Sequence, residues 1–149
     1  MDTLFSDYLY RIVSWLYCPD LDDYLSGFNP SDSTFYNWHE VHYPMLGIIS
    51  IIVAALFVVA YYWSDSPANN RWYHWAIWGV IGGVVNLAIG CGLCYNAQNL
   101  GDIPQYVADV NFGNCLMLGV GNLIIAFIFY FLFSLIGKRF STNCLRTPF

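Results

Sequence analysis

Three long apolar runs are the feature that most restricts how this chain can fold. They cover residues 45–63, 75–95 and 112–136, and none of them contains Asp, Glu, Lys or Arg. A helix needs about 20 apolar residues to cross the hydrocarbon core of a bilayer. Backbone groups in hydrocarbon must find hydrogen-bond partners within their own segment, so runs of this length are helical. The sequence therefore predicts an all-α integral membrane protein with three transmembrane helices.

The composition and charge of the chain agree with a membrane protein and argue against nucleic-acid binding. Hydrophobic residues make up 58% of the sequence and charged residues 10%, whereas soluble domains carry about 25% charged residues. The formal net charge is −5, and nucleic-acid binding needs clustered cations that neutralise phosphates. The predicted partners are the lipid bilayer and other membrane protein subunits or copies of the chain itself. No nucleic acid and no cofactor is predicted.

The apolar runs divide the chain into three parts. An N-terminal segment (1–43) precedes the first span, a transmembrane domain covers residues 44–137, and a basic C-terminal tail covers residues 138–149. Within the first part, residues 3–17 carry apolar side chains at helical spacing. This spacing predicts an N-terminal amphipathic helix.

The apolar face of the N-terminal helix is interpreted as a docking surface for another subunit. Its polar face lacks the Lys and Arg residues that are typical of helices lying on lipid, although a helix in the lipid interface is the alternative. Asp7 and Arg11 are four residues apart and would form a favourable pair on this helix. The residues assigned to partner docking are Leu4, Tyr8, Ile12 and Leu16.

The distribution of Lys and Arg predicts the orientation of the chain in the membrane. Three spans place the loop after the first span and the C-terminal tail on the same side, with Arg71, Lys138 and Arg139 as topology anchors. The other side carries Arg11 alone. Because Lys and Arg are enriched in cytoplasmic loops, we expect the N-terminus outside and the C-terminus in the cytoplasm. The sequence does not distinguish a bacterial inner membrane from another cell membrane.

Glycine and asparagine residues form matching faces on the second and third spans. Glycines let two helix backbones approach closely, and amides in hydrocarbon need partners. If these spans are antiparallel, Asn86 and Asn122 fall at similar depths, and their amides are expected to pair or to meet across a symmetry axis. The residues assigned to helix–helix interfaces are Gly79, Gly83, Asn86, Gly90, Gly113, Gly121 and Asn122.

Cysteines and histidines provide the only hints of chemistry. Cys91 and Cys94 form a CxxC motif at the end of the second span, and Cys115 near the start of the third span is a candidate neighbour. A CxxC exchanges thiols when its surroundings lower the pKa of one of them, but small buried cysteines that pack between helices are the simpler interpretation. His39 and His42 lack a third ligand, so no metal site is predicted.

Three hypotheses for function follow from these features. The leading one is a non-enzymatic subunit of a membrane complex, an anchor or assembly component, because three short spans enclose little volume for an active site. The first alternative is a homo-oligomeric pore or small channel lined by Asn86 and Asn122. The second is a membrane thiol–disulfide oxidoreductase that uses Cys91 and Cys94. The lack of ionisable residues in the spans argues against an ion-coupled transporter.

Overall fold

The computed structural model describes residues 8–29, 34–35, 42–63, 72–100 and 111–140, which contain four α-helices. The helices are α1 (Pro19–Ser26), α2 (Tyr43–Trp63), α3 (Trp72–Leu100) and α4 (Phe112–Gly137). Single 3-10 turns cover Tyr10–Ile12, Ser14–Leu16 and Lys138–Phe140. Two antiparallel strands of two residues each, β1 (Phe28–Asn29) and β2 (Thr34–Phe35), follow α1.

The prediction of an all-α membrane protein with three spans is confirmed. The helices long and apolar enough to cross a membrane are Tyr43–Trp63, Tyr73–Ala97 and Phe112–Gly137. The third of them starts where the side chain of Asn111 accepts a hydrogen bond from the Asn114 amide at 3.0 Å, which satisfies one of the unpaired N–H groups of the first turn. The observed spans exceed the predicted ones by a few residues at several ends.

The helices α3 and α4 run antiparallel and make the most extensive contact in the bundle. Near the end of α3, Cys94 Sγ lies 2.8 Å from Cys115 Sγ on α4. Near the start of α3, the hydroxyl of Tyr130 donates to the carbonyl of Trp75 at 3.0 Å. We call the end of the bundle that holds Cys94 and Cys115 the cysteine end.

The helix α2 runs parallel to α4. Ser50, in its first half, lies 3.0 Å from the side-chain oxygen of Asn122. In its last turn, the hydroxyl of Tyr62 donates to the carbonyl of Ser134 at 3.2 Å. The cysteine end therefore combines the start of α2, the end of α3 and the start of α4.

The segment before α2 is helical, but its form differs from the prediction. Instead of one continuous amphipathic helix, the described residues form two 3-10 turns, and an α-helix begins at Pro19. Proline suits a first helical position because it has no N–H to leave unpaired, and Asp20 and Asp22 favour the positive end of the helix dipole. Gly27 ends α1 with φ 76°, a left-handed conformation that favours glycine.

Two apolar clusters form the core of the bundle. At the end opposite the cysteines, α2, α3 and α4 pack directly against one another through Ala54, Val58, Tyr61, Trp75 and Tyr130. At the cysteine end, side chains from residues 10–25 join the core and fill the space between the helices. The N-terminal segment is therefore part of the helix bundle.

Candidate functional site: the N-terminal wedge

Residues 8–26, which we call the N-terminal wedge, insert one face among the three spanning helices at the cysteine end. The buried side chains of the wedge are Tyr10, Val13, Tyr17, Leu21 and Leu25. They share one apolar cluster with side chains of α2, α3 and α4, namely Tyr43, Leu46, Cys94, Cys115, Leu118 and Ile125. The 3-10 turns bring Tyr10 and Tyr17 onto this one face.

A buried polar cluster anchors the wedge to the spanning helices. The hydroxyl of Tyr10 donates to the side-chain oxygen of Asn122 at 2.6 Å, and Ser50 Oγ lies 3.0 Å from the same oxygen. The Asn122 amide nitrogen donates to the carbonyl of Asn86 at 3.4 Å. Burial raises the pKa of Tyr10 above its ordinary value, so its phenol stays protonated and able to donate. One asparagine thus joins the wedge, α2, α3 and α4.

A second set of hydrogen bonds holds the wedge to the start of α2. Tyr43 donates to a carboxylate oxygen of Asp22, and the hydroxyls of Tyr17 and Tyr43 lie 2.6 Å apart. Because Tyr43 has one hydroxyl proton, Tyr17 is the donor in that pair. The rings of Tyr10 and Tyr43 also stack, with centroids 4.5 Å apart. These contacts join both halves of the wedge to one side chain of α2.

The opposite face of the wedge is uncovered. Tyr8, Ile12 and Trp15 are 74%, 61% and 77% exposed, and the side chain of Arg11 lies exposed among them. The indole N–H of Trp15 donates to the carbonyl of Ile12 at 2.8 Å, so the exposed ring needs no further hydrogen-bond acceptor. We call the surface formed by Tyr8, Arg11, Ile12 and Trp15 the outer face of the wedge.

The outer face lies beside the hydrocarbon-spanning part of the bundle. A Cβ added at Gly121 would lie 3.2 Å from Val13 Cγ2, and Gly121 is about 14 Å along α4 from Phe112 at the helical rise of 1.5 Å per residue. Ser50, in the cluster that holds Tyr10, is about 10 Å along α2 from Tyr43 by the same rise. A charged side chain at the centre of a bilayer costs about 2.5–3.5 kcal/mol on insertion scales. Arg11 thus lies next to residues that pack against the spanning helices, although it lies outside the predicted spans.

Most of the predicted interface residues lie between helices of this one chain. Added Cβ atoms at Gly79 and Gly83 would lie 2.9 Å from the ring of Tyr130 and 3.1 Å from Leu123. Gly90 faces Asn122 and the backbone of Gly119. The glycine face of α3 therefore packs on α4 of the same chain.

The remaining predicted interface residues have different surroundings. Asn86 is fully buried, but among the described residues its side-chain oxygen has no hydrogen-bond partner. Gly121 faces Val13 of the wedge instead of another span, while Gly113 is exposed near the start of α4. Asn86 and Asn122 meet through a carbonyl of the main chain, as described above, and both face the interior of the bundle.

The predicted docking residues and topology anchors are only partly described. Tyr8 and Ile12 lie on the outer face of the wedge, and Leu16 is half-buried. Leu4 and Arg71 lie outside the described residues, as does Asp7, the predicted partner of Arg11. The other two anchors, Lys138 and Arg139, follow α4 at the end opposite the cysteines. Arg11 was not predicted as a site residue, because only the contacts of its neighbours Tyr10 and Val13 place this segment beside the spans.

The cysteines at the cysteine end pair across helices. Cys94 contacts Cys115 of α4, and both are buried, whereas Cys91 and Cys18 are half-buried next to them in the same cluster. All four are in the thiol form. Within the described part of the chain, no group of three or more His, Cys, Asp or Glu side chains is arranged to hold a metal ion.

These observations define a multi-pass membrane protein in which a half-exposed N-terminal wedge completes the core of a three-helix bundle. No family model matches the chain, and no curated protein or solved structure is significantly similar to it. Its function must therefore be inferred from the bundle and the wedge themselves.

Proposed function

We propose that the chain is a non-enzymatic subunit of a membrane protein complex, and that the outer face of the wedge docks a transmembrane segment of another subunit. The observation that supports this most directly is the exposed side chain of Arg11 on a wedge whose Tyr10 and Val13 contact the middle of α4. We infer from these contacts that the Arg11 cation lies at membrane depth. An intramembrane ionisable residue marks a functional site by default, because lipid tails cannot solvate it. The partner segment is expected to carry an Asp or Glu side chain opposite Arg11.

The surroundings of Arg11 also suit a protein partner. Tyr8, Ile12 and Trp15 are exposed apolar side chains within four residues of it in the sequence, and aromatic residues together with Arg are enriched at the centres of protein interfaces. The three carboxylates of the described residues all lie on α1, and one of them, Asp22, accepts a hydrogen bond from Tyr43. A carboxylate supplied by a partner would therefore neutralise this charge where lipid cannot.

The loss of Arg11 is predicted to separate the complex. Removing one member of a buried charge pair costs about 2–5 kcal/mol, because the other charge is left unpaired. Arg11→Glu adds repulsion, so the partner should no longer co-elute when the tagged full-length chain is purified in mild detergent. Arg139→Ala, which removes an exposed cation at the opposite end of the bundle, is the matched control and should leave co-elution unchanged.

Charge reversal on the partner makes the test specific. If an acidic residue in a span of the co-eluting protein faces Arg11, changing it to Lys should restore the complex with the Arg11→Glu chain. Asp7→Asn should retain the partner, because the proposal assigns the required carboxylate to a span of the partner. Undiminished co-elution of the Arg11→Glu chain would refute the proposal, and so would failure of every acidic residue in the partner's spans to rescue it.

We also propose the orientation that the Lys and Arg distribution predicts, with the N-terminus outside and the C-terminus in the cytoplasm. Lys138 and Arg139 close α4 at the end opposite the wedge, and cations next to a span favour the cytoplasmic side. The wedge and the cysteine end would then lie in the outer half of the membrane. The partner would meet the wedge in that half.

A further inference from the structure

A partly open cavity of about 170 Å³ lies at the cysteine end, where α1 meets α2 and α3. Its wall is mostly apolar and includes Leu21, Leu25, Met45, Leu46, Leu93 and Leu118. Cys94 is the one cysteine in this wall. A cavity of about 150 Å³ is enough for a small molecule the size of benzene, so a molecule of that size fits beside Cys94.

The cysteine behind Cys94 is closed off from this cavity. Cys115 is 0% exposed, and its sulfur lies 2.8 Å from that of Cys94. A disulfide has a sulfur–sulfur distance of about 2.05 Å, so a small approach of the two side chains would join them. Cys94 therefore borders the cavity, whereas Cys115 lies behind it and does not line the cavity.

We propose that Cys94 and Cys115 form a reversible disulfide between α3 and α4, in which Cys94 reacts first with a small disulfide and Cys115 resolves the product. The Cys94 thiolate attacks one sulfur of the small disulfide and releases one small thiol, which leaves a mixed disulfide on Cys94. The Cys115 thiolate then attacks the Cys94 sulfur and releases the second small thiol. Two protein thiols are oxidised, one disulfide is reduced, and their two protons end on the released thiols.

This pairing differs from the predicted Cys91–Cys94 pair. Cys91 is one helical turn from Cys94 on α3, so a bond between them would join nothing but neighbouring turns of one helix. A Cys94–Cys115 bond joins two spans directly beneath the wedge, because both cysteines belong to the cluster that contains Tyr17 and Leu21. Its formation would hold α3 and α4 together where the wedge packs on them.

The order of attack can be tested on the purified full-length chain in mild detergent. The protein is reduced, freed of reductant, incubated with hydroxyethyl disulfide, quenched in acid and alkylated for intact-mass and peptide analysis. The wild type should yield a Cys94–Cys115 cross-linked peptide. The Cys115→Ser variant should accumulate the mixed disulfide on Cys94. Cys115 in the Cys94→Ser variant should react with hydroxyethyl disulfide at least about tenfold more slowly than Cys94 does in the Cys115→Ser variant, because burial limits access to a thiol.

Two further variants test the role of the cavity and of the neighbouring cysteine. Ala97→Trp places a large ring in the cavity wall and should slow the first step, whereas Ala88→Trp, at an exposed position of α3, should not. Cys91→Ser should leave the cross-link unchanged. A Cys91–Cys94 bridge in the wild type would overturn the proposal. So would equal rates of reaction with hydroxyethyl disulfide for Cys94 in the Cys115→Ser chain and Cys115 in the Cys94→Ser chain. The reaction needs no partner protein, so its failure would leave the subunit proposal intact.

Discussion

At the residue scale, small and polar side chains decide how closely the spanning helices approach. A Cβ at Gly119 would lie 2.8 Å from the carbonyl oxygen of Leu87, and one at Gly90 would lie 3.4 Å from the Cα of Gly119. Backbone atoms cannot move aside as flexible side chains do. The crossing of α3 and α4 therefore requires glycine at position 119.

Gly119→Ala should destabilise the bundle by about 1–3 kcal/mol, the usual cost of overpacking. The added methyl would push α4 away from the carbonyl of Leu87. Gly92→Ala is the control, because a Cβ there meets nothing within 4 Å. The free energy of unfolding of both variants can be measured in detergent by circular dichroism. Equal stability of the two variants would show that the close approach at Gly119 is absent.

Tyr10→Phe should cost about 1 kcal/mol of stability, which is typical for one hydrogen bond between side chains in a membrane protein. The variant keeps the ring stacked on Tyr43 and removes only the donor to Asn122. Tyr8→Phe is the matched control, since Tyr8 is exposed on the outer face. The same unfolding assay applies, and a neutral Tyr10→Phe would mean that the hydroxyl does not stabilise the wedge.

At the element scale, the wedge is held by packing more than by its own helical propensity. Its 3-10 turns are too short to be stable alone, while Val13 packs on the open surface that Gly121 leaves on α4. Adjacent residues consequently have opposite environments, with Val13 buried and Ile12 exposed. The pattern of apolar residues over 3–17 predicted a helix, but contact with α4 determines which side chains face inwards.

Val13→Trp should displace the wedge, because the indole does not fit against Gly121. The displacement should expose Cys115, whose reaction with a maleimide can be followed by peptide mapping. Ile12→Trp, one residue away on the outer face, should leave Cys115 as protected as in the wild type. If Cys115 were as protected in the Val13→Trp chain as in the wild type, the wedge would not be what covers this cysteine.

At the scale of the whole molecule, the bundle has two unlike ends. The end with Lys138 and Arg139 is closed by direct packing of the three spans, while the cysteine end is completed by the wedge. The proposed orientation places these ends on opposite membrane faces. A partner that docks on the wedge would therefore approach from within the outer half of the bilayer.

A reporter that works only in the cytoplasm, such as a fluorescent protein that needs a reducing compartment, should be active when it is fused to the C-terminus. Lys138→Glu together with Arg139→Glu removes two of the anchoring cations and should increase the fraction of inverted chains. Replacement of both residues by Arg and Lys, respectively, preserves the charge and serves as the control. Activity of an export-dependent reporter at the wild-type C-terminus would show that the orientation is inverted.

The sequence by itself determined that the chain is an all-α membrane protein, and it determined the number of spans and their approximate limits. Long uncharged apolar runs permit one solution, since hydrocarbon offers no hydrogen-bond partners to an unfolded backbone. It also identified the glycines of α3 as a packing face, because small residues signal close approach whatever the neighbouring helix is. These properties depend on local composition and therefore need no knowledge of the fold.

The tertiary structure alone decided which surfaces meet. It placed the glycine face of α3 against α4 of the same chain, paired Cys94 with Cys115, and brought Arg11 beside the spans through Tyr10 and Val13. Each of these facts depends on residues distant in sequence whose approach is set by the packing of the whole bundle. A local pattern describes what one segment can bury, and only the assembled helices determine what it is buried against.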